Sequence, residues 1–106
     1  MLLADRKQIH VRKCKHLGMS EYVFDYKNCY AVVALGITEK EDKKWATVYM
    51  IETEQAHRNE GQAQTLLATL KHDFEREGYE FGCTVALNDA MKHILQKLDI
   101  TEYTEF

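Results

Sequence analysis

The stretch richest in chemistry runs Ile51-Glu52-Thr53-Glu54-Gln55-Ala56-His57-Arg58-Asn59-Glu60-Gly61-Gln62-Ala63, where a strand-like run gives way to helical periodicity after a short polar turn. A junction of this kind is an anion site by construction. The first turn of a helix presents N–H groups with no intrahelical acceptor, and the aligned peptide dipoles place about half a positive charge there. Gly61 lets the backbone approach a phosphate closely, and small Ala63 keeps the helix start near the sheet. Arg58 adds a planar fork of donors matched to phosphate oxygens. Each residue also has an ordinary reading: Gly61 and Ala63 serve a tight turn, and Arg58 is one of several surface arginines. His57 reads either as a second neutralising group or as a surface imidazole. Glu60 reads as a favourable acid at a helix start, and beside a phosphate as an opposing charge.

Acid–base chemistry falls to the strand that precedes the junction. Its ionisable candidates are Glu52 and Tyr49. Period-two alternation sets them on opposite faces, so at most one points at a substrate unless a bulge intervenes. His10, His16, His72 and His93 show no metal-ligand spacing, and Cys14-Lys15-His16 is too compact for a zinc site. No metal is expected.

The elements that must hold these groups follow from hydrophobic periodicity. Ala63, Leu66, Leu67, Leu70 and Phe74 repeat on one helical face, with Thr65, Thr69, His72 and Arg76 on the other and Gly78 placed to end the helix. Residues 81–87 read as a short buried strand, followed by Asn88 or Asp89 as the cap of a second helix whose stripe is Met91, Ile94, Leu95 and Leu98. Upstream, residues 21–35 read as two strands around a turn at Asp25, Lys27 and Asn28. Residues 38–44 form a charged connection and residues 45–51 a third strand. The alternating patch 8–12 fits a short strand or a helix end equally well. The long strand-helix-strand connection demands parallel strands and a right-handed crossover. The expected fold is therefore α/β (α+β), a mixed, largely antiparallel sheet with helices packed on it and a strand-helix-strand-helix second half.

Composition sets the outer bounds. At 106 residues the chain fits one domain, 1–106. Fourteen Lys+Arg against seventeen Asp+Glu, a net charge of −3, gives none of the basic excess that drives binding to nucleic acid. A hydrophobic fraction of 45%, with six Tyr, four Phe and Trp45, places the chain outside the disordered class. The longest apolar run, residues 30–35, suits a buried strand rather than a membrane span. The start, Met1-Leu2-Leu3-Ala4-Asp5-Arg6-Lys7, lacks a secretory pattern. Cys14, Cys29 and Cys83, an odd and widely spaced set, read as free thiols in a reducing compartment, so a cytoplasmic location is expected.

One family shares the junction. Arg58-Asn59-Glu60-Gly61-Gln62-Ala63 resembles the Arg/Gln-x-x-Gly-x-Gly/Ala signature of the GCN5-related N-acetyltransferases (GNAT), in the same strand-turn-helix setting. The resemblance covers residues 45–100. It implies that the strand before the signature and the strand after the first helix splay apart around the pantetheine arm of acetyl-coenzyme A. Backbone groups near Ile51 and Thr53 would bond that arm. Arg58, Asn59, Gly61, Gln62 and Ala63 would hold the pyrophosphate, and Asn88 the pantetheine or the helix it caps. The implied reaction is direct attack of a primary amine, on a small molecule or a protein, upon the thioester. Three features depart from the family pattern: Leu95 stands where many members carry a tyrosine that serves as the general acid, Glu60 lies in a normally basic loop, and Asp99-Ile100 replaces a Gly-Phe pair. An exposed sheet edge near the end of the chain points to a homodimer, and a degenerate, non-enzymatic interaction module is the alternative function.

Overall fold

The computed structural model describes residues 8–16, 19–38, 43–57, 61–84 and 89–102. In chain order these form β1 (Ile9–His16), β2 (Met19–Tyr26), β3 (Cys29–Thr38), β4 (Lys43–Thr53), α1 (Gln62–Arg76), β5 (Tyr79–Cys83), α2 (Asp89–Lys97) and β6 (Thr101–Glu102). A single 3₁₀ turn, Gln55–His57, lies between β4 and α1. The described strands make one six-stranded sheet in the order β1-β2-β3-β4-β5-β6. The first three pairings are antiparallel, whereas β4–β5 and β5–β6 are parallel. The mixed sheet and its strand-helix-strand-helix second half match the sequence expectation.

Several boundaries move. The patch 8–12 is strand, because Ile9 to His16 find a full antiparallel partner in β2. The β2–β3 turn is only Lys27–Asn28, with Lys27 at φ 52°. The charged connection is shorter than its composition suggests: β3 runs through Thr38 and β4 starts at Lys43. On β5, pairing begins at Tyr79, two residues ahead of the apolar run, and ends at Cys83, while residues 85–88 lie outside the described set. Parallel pairing to Lys44 and Trp45 recruits Tyr79 and Glu80, which hydrophobicity alone does not mark.

One face of the sheet carries the core. Ala31, Val33, Ala46 and Val48 are fully buried there against Leu66 and Leu67 of α1. Leu95, Leu98 and Ile100, from α2 and just beyond it, join the same cluster. Burying a Leu or Val side chain contributes about 1.5–3 kcal/mol, so this cluster dominates stability. Phe74 extends it, stacked on Phe81 at 6.0 Å and edge-on to Phe24 and Tyr79 at 5.8 and 5.3 Å. The helix stripe is wider than expected. Leu66, Leu67, Ala68, Thr69 and Leu70 are all buried, and Thr69, assigned to the polar face by periodicity, is satisfied by donating its hydroxyl to the Thr65 carbonyl at 2.7 Å. Gly78 takes φ 90° just past the helix, the left-handed stop its position predicts.

Candidate active site at the end of the fourth strand

The ladder between β4 and β5 closes at Val48–Cys83, and Thr84 seals it by donating both its backbone N–H and its hydroxyl to the Val48 carbonyl, at 3.0 and 3.3 Å. Beyond that point β4 runs five residues further, to Thr53, with no β5 residue opposite among those described. Among the described residues the pairing of β4 with β5 therefore ends at Val48.

A β-bulge sits at the same place. Val32 pairs with Met50 and Val33 with Val48, leaving Tyr49 as the extra residue on β4. The bulge changes which side chains share a face. Val48 and Ile51, three apart, both turn into the core opposite Val33 and Ala31, and both are buried. Alternation then places Tyr49 on the opposite face of the sheet, with Glu52. The expectation that Tyr49 and Glu52 lie on opposite faces is thus corrected, by the one exception the period-two rule allows.

The two groups have different surroundings. Burial, and next the charge of Glu21 on β2, raise the Tyr49 phenol above its ordinary pKa, so it stays protonated at neutral pH. Glu52 is exposed and accepts the Tyr30 hydroxyl at 2.9 Å from the directly opposite position on β3. That bond, with smaller contributions from partial burial and the carboxylate's charge, raises the Tyr30 phenol in turn. Sequence reasoning missed Tyr30; its signal was the cross-strand pairing, which only the register supplies. Tyr30 and Glu52 line a shallow cleft of about 250 Å³ together with Asp25, Lys27, Thr53 and Glu54.

The helix start has the features its sequence promises. Gly61 is the N-cap of α1 in the left-handed region, φ 78° and ψ 7°, and a Cβ built there would meet nothing within 4 Å. Its freedom is therefore conformational, and among the described residues the space above it is open. No acidic residue occupies the first turn of α1. Ala63 is half-buried beside the core. The side chain of Gln62 does something sequence did not suggest: it is buried, and its Oε1 accepts the backbone N–H of Asn28 at 3.0 Å. Any contact of Gln62 with an anion would thus be through its main chain. Ile51 likewise gives its side chain to the core, and the Thr53 hydroxyl bonds the buried Cys29 thiol opposite it. Arg58, Asn59 and Asn88 lie outside the described residues, as does Glu60. Leu95, at the position of the family's acidic tyrosine, is 2% exposed within the core.

No protein-family model matches the chain, and no curated protein does. Solved structures do. An aminoglycoside acetyltransferase from an uncultured soil metagenomic sample, solved with trehalose and again with sisomicin, superposes with a TM-score of 0.55 at 12% identity. An integron cassette protein from the mobile metagenome of Cole Harbour Salt Marsh superposes with a TM-score of 0.59 at 13% identity. The matches cover 80% and 83% of this chain, and only 57% and 56% of those chains. This chain therefore spans little more than half the length of the structures it resembles. The likeness shows the fold alone: the chain folds like part of these structures, an acetyltransferase among them.

Proposed function

We propose that the chain binds acetyl-coenzyme A and transfers the acetyl group to a primary amine. The observation that carries this reading is the bulge at Tyr49, next to the end of the described β4–β5 pairing at Val48, with left-handed Gly61 opening α1 beyond the end of the same strand. The residues present suit the coenzyme: open space over Gly61 among the described residues and a first helical turn without acids suit a diphosphate, with the charge of Glu60 opposing it. Main-chain groups of Gly61, Gln62 and Ala63, with Arg58 and Asn59, would hold that group, and those of Ile51 and Thr53, with Asn88, the pantetheine arm. The coenzyme supplies an acetyl group activated as a thioester.

The protein's own part is proton management. Tyr49, kept protonated by burial and by Glu21, is suited to donate a proton beside the end of the described β4–β5 pairing. Glu52, oriented by Tyr30, is suited to accept one from the incoming ammonium. With Asp25 paired to Arg12, Glu52 and Glu54 outnumber Lys27 around the cleft, which favours a cationic acceptor. The buried free thiols Cys29 and Cys83 support a reducing, cytoplasmic setting. No helix among the described residues is long and apolar enough to cross a membrane.

Leu95 favours a second reading, in which the fold persists as an interaction module without turnover: an apolar, buried side chain at that position offers no proton. Two measurements separate the readings. Native mass spectrometry of freshly purified protein, followed by calorimetry with acetyl-coenzyme A, should show a bound coenzyme; no binding of acetyl-coenzyme A or coenzyme A removes the enzymatic reading. Free-thiol release with a panel of amines should then show turnover. Binding without turnover for every amine class leaves the module.

A further inference from the structure

The main-chain groups assigned above to the coenzyme stand on two different elements. Ile51 and Thr53 lie at the end of β4, whereas Gly61, Gln62 and Ala63 open α1. A ligand that engages both sets at once gains from the second contact only when their separation matches its own length. That separation must be fixed by something besides the connecting residues 54–61.

Asn28, in the β2–β3 turn, reaches both elements. Its carbonyl accepts the Glu54 N–H at 2.9 Å, one pair beyond Cys29–Thr53, which registers the turn on the end of β4. Its own N–H donates to Gln62 Oε1 at 3.0 Å. The turn is short and closed by the Tyr26–Cys29 pair, so Asn28 has little play. A glutamine ordinarily leaves its amide in water, yet Gln62 is only 7% exposed, and the bond to Asn28 offsets the cost of burying it. The start of α1 is thereby held at a set distance from the end of β4.

We infer that Gln62 is a positioning residue, whose side chain, held by Asn28, sets the distance between the pantetheine end of β4 and the diphosphate end of α1. The inference rests on the coenzyme reading given above and assigns the Gln62 side chain no contact with the ligand.

The test compares acetyl-coenzyme A, which spans both ends, with adenosine 5′-diphosphate, which reaches only the helix start. Calorimetry on the full chain, well below its melting temperature, gives a dissociation constant for each. Gln62→Met keeps the length of the side chain and removes the acceptor. It should weaken acetyl-coenzyme A about tenfold and adenosine diphosphate less than about twofold, since a ligand on one element does not sense the spacing. Gln62→Asn, whose amide is one methylene short of Asn28, should do the same, and it carries the test if the methionine variant fails to fold. Gln62→Glu still accepts from Asn28. Its charge opposes both ligands alike, so the ratio of the two constants should return to that of the parent.

A side chain that only stabilises the fold lowers the melting temperature and leaves the ratio unchanged, and that result overturns the inference. So does a loss shared equally by both ligands, which puts the effect in the helix start alone, or a glutamate variant whose ratio stays with that of the methionine variant. A parent chain that binds acetyl-coenzyme A but not adenosine diphosphate has no diphosphate site at α1, which overturns it too. A parent that binds neither ligand removes the coenzyme reading itself, and this inference with it.

Discussion

The backbone N–H of Asn28 donates to the Oε1 of Gln62 across 34 positions of sequence, at 3.0 Å, and ties the β2–β3 turn to the first residue of α1. The same asparagine accepts the Glu54 N–H on its carbonyl at 2.9 Å and donates its side-chain amide to the Glu54 carboxylate at 3.3 Å. One turn residue thereby fixes both ends of the connection from β4 to α1. Gln62→Ala leaves a partly buried donor unsatisfied, which costs about 1–3 kcal/mol. The expected result is a fall in melting temperature of several degrees by calorimetry, with Gln62→Glu recovering most of it because a carboxylate still accepts.

Gly61 tests the helix start more locally. A side chain at φ 78° is strained by about 1–2 kcal/mol, partly offset by a stiffer unfolded chain. Because nothing lies within 4 Å of the site, the strain is conformational rather than steric. Gly61→Ala should therefore destabilise by roughly 1 kcal/mol, and Gly61→Asn by less, since Asn tolerates the left-handed region. Urea midpoints rank the three chains; an alanine variant as stable as the parent contradicts the left-handed cap.

Tyr49→Phe bears on the chemistry. If the phenol donates a proton in the transfer, its removal should lower kcat for amine acetylation by about 10²-fold or more, with KM for acetyl-coenzyme A little changed. The phenol's raised pKa means that its titration adds no falling limb to the rate profile below its ordinary value of 10.0. A kcat equal to that of the parent removes Tyr49 from the mechanism.

Alkaline stability follows from three raised groups. Burial raises the Cys29 thiol, against a smaller opposing effect of the Thr53 hydrogen bond. Its hydrogen bond to Glu52 raises Tyr30, and burial raises Tyr49. A raised pKa means that the folded chain holds the proton more tightly than the unfolded chain. The stability these groups contribute is therefore complete below their ordinary values and declines as pH passes them, near 9.0 for the thiol and 10.0 for the phenols. Urea midpoints measured upward from pH 8 should show the decline setting in near 9, with Cys29→Ala postponing its onset. A midpoint that rises over this range contradicts the sign.

Much of this was legible residue by residue. The stripe Leu66, Leu67, Leu70 and the stop at Gly78 are local periodicity and local φ preference, and both hold. The hairpin at Lys27–Asn28 falls where polar residues interrupt a β-branched run. The parts that were not legible are long-range: β5 starts at Tyr79 because Lys44 and Trp45 offer it a ladder, and Thr69 is buried despite its place on the polar face because Thr65 satisfies its hydroxyl.

Local pattern was enough for the elements from β2 to α2, the mixed sheet and the glycine that opens α1, because each rests on side-chain period or backbone freedom within a few residues, whereas β1 and the two-residue β6 are strands only through their ladder partners. Only the tertiary structure decided that Tyr49 and Glu52 share a face, that Tyr30 holds Glu52, and that Gln62 turns away to Asn28. A bulge is a mismatch of register between two strands, and a hydrogen bond across 34 residues is a fact about where two segments meet. Neither is a property of any single segment.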